Sequence, residues 1–165
     1  MLFVWLGAVA AVAMIAGCAT MEEPSAELSR EDVRVSEQIK VPDTNREDLF
    51  LIANEWLGEK LMTDETFIEY TSRKNGFIIG TIVFSGLTQG EYKFSIRFNI
   101  KIRIGEGSTT ITLFDPMYSP IGVFGGTFSE RQYKPMRSEK WFNEYCLPKY
   151  RELISSYKEM LASPQ

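Results

Sequence analysis

Between Tyr92 and Ile104 the chain reads "YKFSIRFNIKIRI", in which Tyr92, Phe94, Ile96, Phe98, Ile100, Ile102 and Ile104 alternate with Lys93, Ser95, Arg97, Asn99, Lys101 and Arg103. A period of two sustained this long predicts a β-strand with one side buried and the other wet, as in an antiparallel sheet covered on one face. Upstream, "TFIEYTS" and "GFIIGTIVFSG" are two more strand-like runs joined by "RKNG", where Asn75-Gly76 supplies the residue types of a tight hairpin. Downstream, "GEGS" turns the chain into "TTITLF", a strand expected to end at Asp115-Pro116. "VRVSEQIKV" reads as an earlier strand, closed by Pro42 in a turn.

Helical spacing appears twice. In "DTNREDLFLIANEWLGEKL" the residues Leu49, Phe50, Ala53, Trp56, Leu57 and Leu61 share one broad face. Asp43 or Thr44 is the expected cap, and Glu47 stands in the first turn, where the helix dipole favours an acid. From Ser138 onward Phe142, Cys146, Tyr150, Leu153, Tyr157 and Leu161 recur every three or four residues. Pro148 lies inside that run; it removes a backbone donor and crowds the preceding turn, so a kink or break is expected, with a second piece starting near Pro148. The order strand, helix, four antiparallel strands, helix requires both apolar helix faces to cover the same sheet. This predicts a two-layer α+β domain over residues 33–165, with the helices on one face of an antiparallel sheet of about five strands.

The opening run has a different character. Leu2 to Gly17 carries no charged side chain but is shorter than the ~20 residues that a helix needs to cross a bilayer, and it fits a signal-peptide core over residues 1–17. It ends in "IAGC", an aliphatic residue and two small ones before Cys18, which looks like a bacterial lipobox. In proteins with that motif the thiol receives a diacylglycerol, the signal is cut before the cysteine, and the new amino terminus is acylated with a palmitate-type chain. Two or three acyl chains make a stable anchor, at ~0.8 kcal/mol per buried CH₂. Lipoprotein signals ordinarily begin with Lys or Arg; here only Met1 precedes the apolar core, a departure that a start farther upstream would remove. Ala19, rather than Asp, favours the periplasmic side of the outer membrane if the cell has two membranes. The alternative is an uncleaved membrane helix in which Cys18 is incidental.

Charge separates the next segment from the rest. Residues 19–32 hold Glu22, Glu23, Glu27, Glu31 and Asp32 against Arg30 alone, so this stretch carries the whole net charge of -4, and the remainder is balanced. Residues 18–32, polar and interrupted by Pro24, read as a lipidated cysteine on an acidic flexible tether reaching at most about 50 Å. A neutral domain on an acidic tether does not suit nucleic acid, which requires a concentrated positive field. Once Cys18 is lipidated, Cys146 is the remaining thiol and has no internal disulfide partner. Its place on the apolar stripe suits a small core residue; a redox role would draw on Lys149.

Three segments carry a family resemblance: "NEWLGEKL" in the first helix, "NGFIIG" with Gly76, Ile78 and Gly80 in the hairpin, and the tyrosine-led strand "YKFSIRFNIKI". Over roughly residues 35–115 the chain resembles a domain of unknown function, common in bacterial envelope proteins and lipoproteins, with a TATA-box-binding-protein-like (TBP-like) fold. The resemblance implies that fold and an envelope setting, and it implies no chemistry.

The chain contains no histidine, which excludes a Ser-His-Asp triad, a Cys-His pair and histidine-rich zinc sites. It also lacks a phosphate loop or dinucleotide fingerprint, and no cofactor or metal is expected. Carboxylate-pair hydrolysis of an envelope glycan is the enzymatic alternative, with Asp64, Glu65, Glu69 and Asp115 as candidates. The segment 115–135, "DPMYSPIGVFGGTFSERQYKP", has little periodicity and combines Gly125-Gly126 with Met117, Tyr118, Phe124, Phe128 and Tyr133. Such a mixture suits either a partner-binding lip or a flap that completes the core. The basic row Lys93, Arg97, Lys101 and Arg103 reads as a solvated face, or as a contact for anionic lipid or an acidic partner. The expected function is a non-enzymatic interaction module, tethered to the membrane, for an unidentified envelope protein or polymer. Changing Cys18→Ser is expected to abolish incorporation of radiolabelled fatty acid and leave an uncut precursor; persistent label would contradict the lipobox reading.

Overall fold

Strand β4 (Tyr92–Gly105) runs through the middle of the sheet in the computed structural model, which describes residues 27–60, 67–121 and 132–163. It pairs with β3 (Phe77–Gln89) on one side and β5 (Ser108–Ile121) on the other. Outside these, β2 (Phe67–Ser72) pairs with β3 and β1 (Val35–Lys40) with β5, giving the order β1-β5-β4-β3-β2, antiparallel throughout. A two-residue strand β6 (Lys134–Pro135) pairs with the far end of β5. Phe94, Ile96, Phe98, Ile100, Ile102 and Ile104 are buried, as the alternation of β4 requires. Ser95 departs from it: although in the polar phase, it is fully buried and donates to Ser85 Oγ at 3.2 Å.

Helix α1 (Arg46–Lys60) covers one face of the sheet with Leu49, Ala53, Trp56 and Leu57, all buried; Leu61 lies outside the described residues. Its cap is Asn45, not Asp43 or Thr44: Asp48 N donates to Asn45 Oδ1 at 2.9 Å, and Asn45 Nδ2 donates to Asp48 Oδ2 at 2.7 Å. The two earlier residues serve the turn from β1, where Asp43 takes φ 67° and the Thr44 carbonyl accepts from Gly107 N. Arg46 then fastens the helix start to the β2–β3 turn by donating to the Arg73 carbonyl at 2.8 Å. In that turn Gly76 has φ +64°, and a Cβ there would stand 2.4 Å from the Ile104 carbonyl oxygen, so glycine is required.

The second helical run is continuous but changes pitch. Ser138 caps α2 (Glu139–Trp141), a π-helical turn follows at Phe142–Cys146, and α3 (Leu147–Ala162) completes it. Leu147 N donates to the Phe142 carbonyl, five residues back, so the hydrogen-bond ladder shifts just ahead of Pro148. The proline thus falls in the first turn of α3, where its missing donor costs nothing. The two helices meet where Trp56 Nε1 donates to Ser156 Oγ at 3.1 Å and its ring lies 4.8 Å from that of Tyr157. Tyr157 OH shares a hydrogen bond with Thr109 Oγ1 at 3.0 Å, whereas Tyr150 OH, equally buried, has no partner among the described residues. Among the described residues no helix is long and apolar enough to cross a membrane.

Two segments behave differently from the sequence expectation. Residues 27–32, expected in the tether, are docked: Glu27 bridges Ser138, Leu28 N donates to the Arg137 carbonyl at 2.7 Å, and Val33 just beyond is buried in the core. The reason is the pair Leu28 and Val33, whose apolar side chains flank the polar turn held by Ser29 and Asp32. The remaining tether residues, Cys18 and the signal segment 1–17 lie outside the described residues. Strand β5 also continues past Asp115-Pro116 to Ile121, because the proline sits at a bulge, where a ladder tolerates a missing donor.

The core generates two expectations. Phe98→Ala should lose about 3 to 5 kcal/mol in urea unfolding. Tyr150→Phe should leave stability unchanged or raise it, since it removes an unpaired buried hydroxyl, whereas Tyr157→Phe should lose ~1 kcal/mol with its bond to Thr109. Burial pushes the Cys146 thiol and the Tyr157 hydroxyl up to about 12. The unfolded chain therefore releases these protons first, so stability is complete below pH ~9 and falls as pH rises toward 12. An unfolding midpoint that is flat across that window would contradict the burial of both groups.

Candidate functional site

The bulge in β5 decides which side chains meet on the face of the sheet away from the helices. Arg97 is opposite Met117 and Asn99 is opposite Phe114, so Phe98 on β4 faces two residues, Asp115 and Pro116. Asp115 takes φ 50°, a left-handed conformation that aspartate tolerates better than most residues. One extra residue reverses the alternation. Before the bulge Ile111 and Leu113 point to the helices; after it Tyr118 does so, and its ring lies 5.4 Å from that of Trp141. Met117 is turned to the opposite face, where its sulfur accepts from Arg97 Nη2 at 3.0 Å. The Arg97 guanidinium also stands 4.3 Å from the centroid of the Tyr133 ring.

The aromatic segment and the basic row, two separate candidates in the sequence, thus join at Arg97. Met117 and Tyr133 belong to this cluster, Tyr118 packs on the helix side, and Phe124 and Phe128 lie outside the described residues. The other basic residues are spread along the face. Lys101 lies 5.7 Å from the Phe77 ring, which packs against Tyr70, while Lys93 and Arg103 are exposed.

Beside the cluster is a cleft of about 160 Å³. Its origin is a break along the outer edge of β5: β1 pairs with Ser108 to Leu113, β6 pairs with Met117 and Tyr118, and among the described residues no strand pairs with those between. Val33, Pro116, Met117 and Pro135 supply apolar walls, and Arg30 and Arg137 bring two guanidinium groups. Arg30 Nε is 3.9 Å from Asp115 Oδ1, and both groups are well exposed, so the pair contributes little. Arg137 donates to the Leu28 carbonyl at a long 3.5 Å. Sequence reasoning missed both arginines because Arg30 reads as tether and Arg137 precedes a helix; no local pattern connects them, and the fold brings them together.

The two carboxylate candidates among the described residues, Glu69 and Asp115, are not gathered into a pair. Glu69, on β2, accepts from Thr81 at 2.6 Å, and Asp115, on β5, is three strands away, roughly 14 Å across the sheet and beyond the ~6.5 to 9.5 Å of an inverting pair. Asp64 and Glu65 lie outside the described residues. Among the described residues no three potential metal ligands cluster. The strongly shifted groups Cys146, Tyr150 and Tyr157 are raised chiefly by burial in the core, where their neutral forms pack between helix and sheet. Lys149, the base suggested for Cys146, instead pairs with Glu152 at 2.7 Å.

The model of a family described as a domain of unknown function (DUF4468) with TBP-like fold matches residues 36–119. The chain belongs to this DUF4468 family. A TBP-like protein from Parabacteroides distasonis is similar in structure at a TM-score of 0.63 and 15% identity, covering 90% of this chain and 100% of that one. A DUF4468 family protein from Bacteroides ovatus is similar at 0.60 and 9% identity, covering 79% and 86%. These likenesses carry the TBP-like fold. No curated protein matches. The DUF4468 segment contains the β5 bulge, while Arg30, Tyr133 and Arg137 lie outside it, so the cleft is closed by the flanks of the family domain.

A double-mutant cycle on Arg97→Ala and Tyr133→Ala should show a coupling of about 0.5 to 1 kcal/mol in unfolding free energy. Arg103→Ala, on an exposed end of the same row, should stay within about 0.5 kcal/mol. Additive losses at Arg97 and Tyr133 would dissolve the cluster.

Proposed function

We propose that this chain is a non-enzymatic interaction module, anchored to the bacterial envelope by lipid on Cys18, which binds an envelope protein or polymer at the Arg97–Met117–Tyr133 cluster. The observation that carries the reading is the convergence there of an aromatic ring, a thioether and a guanidinium beside a cleft, the residue types that anchor interfaces. The anchor rests on "IAGC" at the end of the apolar run. With Glu27 already bridged to Ser138, the tether from Cys18 spans at most roughly 30 Å and enters the domain next to the cleft side of β6. In a cell with two membranes, the outer membrane's periplasmic side follows from Ala19.

Capture from detergent-solubilised envelopes, run beside a glycan binding and turnover screen, tests this reading against a carboxylate-dependent hydrolase. The joint change Met117→Ser and Tyr133→Ser is expected to lose the captured partner without a change of more than a few degrees in Tm. Neutralising Lys93 and Arg103 should matter less, and mainly at low salt. Turnover of glycan by the wild-type chain, or loss of capture in the Lys93 and Arg103 variant alone, would contradict it.

A further inference from the structure

We infer that the cleft at the β5 bulge binds the carboxy-terminal end of a peptide chain whose last residue is aliphatic. The inference deepens the interaction reading by naming a ligand class and rests on that reading for its biological setting. Three observations lead to it. The cavity of about 160 Å³ is comparable with the ~150 Å³ engineered cavity that admits benzene, so it takes one aliphatic side chain against Val33, Pro116 and Pro135. Of the charged groups that line the pocket two are guanidiniums, Arg30 and Arg137, and one is a carboxylate, Asp115, which lies 3.9 Å from Arg30 alone. A carboxylate is the ion that a guanidinium fork matches in shape.

The third observation separates a peptide from a simple fatty acid. Asp115 is held near Arg30 by a loose, exposed pair that a ligand carboxylate displaces at little cost. The released Asp115 accepts a peptide N–H, which a fatty acid does not have. Between Leu113 and Met117 the outer edge of β5 pairs with no strand among the described residues, and the Pro116 carbonyl is already occupied by Met136 N at 2.8 Å, which fixes the inner wall.

The test is a titration of the isotope-labelled full-length chain in detergent, followed by amide chemical shifts, with N-acetyl-Ala-Leu, its carboxamide, and 4-methylpentanoate. The expected result is saturable shifts at Asn99, Asp115, Met117 and Arg137 with the acid dipeptide, and binding at least about tenfold weaker with the carboxamide and with 4-methylpentanoate. Arg137→Gln should weaken the dipeptide by a similar factor; Arg30→Gln, at a more exposed position, is the second variant should the first lose its fold. Equal binding of the carboxamide, equal binding of 4-methylpentanoate, shifts elsewhere, or no saturable shift would each overturn the inference. If the dipeptide fails while envelope capture still depends on Met117 and Tyr133, the peptide-end inference falls and the interaction reading stands. If it binds as expected while capture is indifferent to those residues, the cleft assignment stands and that reading falls.

Discussion

Everything else in this domain is arranged around the apolar side of β4. Six buried side chains from Phe94 to Ile104 form one row along the middle strand, and neither neighbouring strand can cover them, because strands in a sheet shield only each other's edges. Two helices must lie across that row. Trp56 and Leu57 from α1 and Tyr150 and Tyr157 from α3 do so, with Tyr150 set edge-on to Phe98 at 4.7 Å between ring centroids. Among the described residues no helix lies on the opposite face, which carries Arg97, Met117 and Tyr133 instead.

A bulge converts this fixed core into a surface with particular chemistry. Without the extra residue at Asp115-Pro116, Met117 would point to the helices and Tyr118 away from them, and Arg97 would lose its sulfur acceptor. The same kink interrupts pairing along the outer edge of β5, which opens the cleft between β1 and β6. A second bulge, in β3 between Phe84 and Leu87, has Gly86 at φ +76° and returns Leu87 to the apolar side opposite Phe94. Core packing at both ends of β4 is therefore kept by irregularities in its neighbours, and the cluster at Arg97 is a consequence of one of them.

The fold was legible in the sequence wherever burial imposes a period. The row on β4, the α1 face and the stripe from Phe142 to Leu161 all follow from spacing, and the fold class follows from their order. What spacing could not convey was phase. Asp-Pro reads locally as a stop, and only pairing with β4 carries the strand through it. Pro148 reads as a kink or break with a new piece beginning near it, and α3 does begin at Leu147, joined to the turn before it by the five-residue hydrogen bond to Phe142. Leu28 is a single apolar residue in an acidic stretch, too little to make a pattern, yet with Val33 at the head of the first strand run it is enough to dock that stretch. The site was half legible for the same reason: Met117, Tyr133 and Arg97 were each visible as types, but their meeting, and that of Arg30 with Arg137, depends on contacts far apart in the chain.

The proposal at the centre of this account is that recognition occurs at the bulge side of the face turned away from α1 and α3 rather than along its exposed basic row. Incorporating a photo-crosslinking amino acid in place of Tyr133, and separately in place of Arg103, in chains carried in intact membranes tests it most directly. A discrete crosslinked product from position 133 and none from position 103 is the result this account predicts. A product from position 103 with none from position 133 would contradict it.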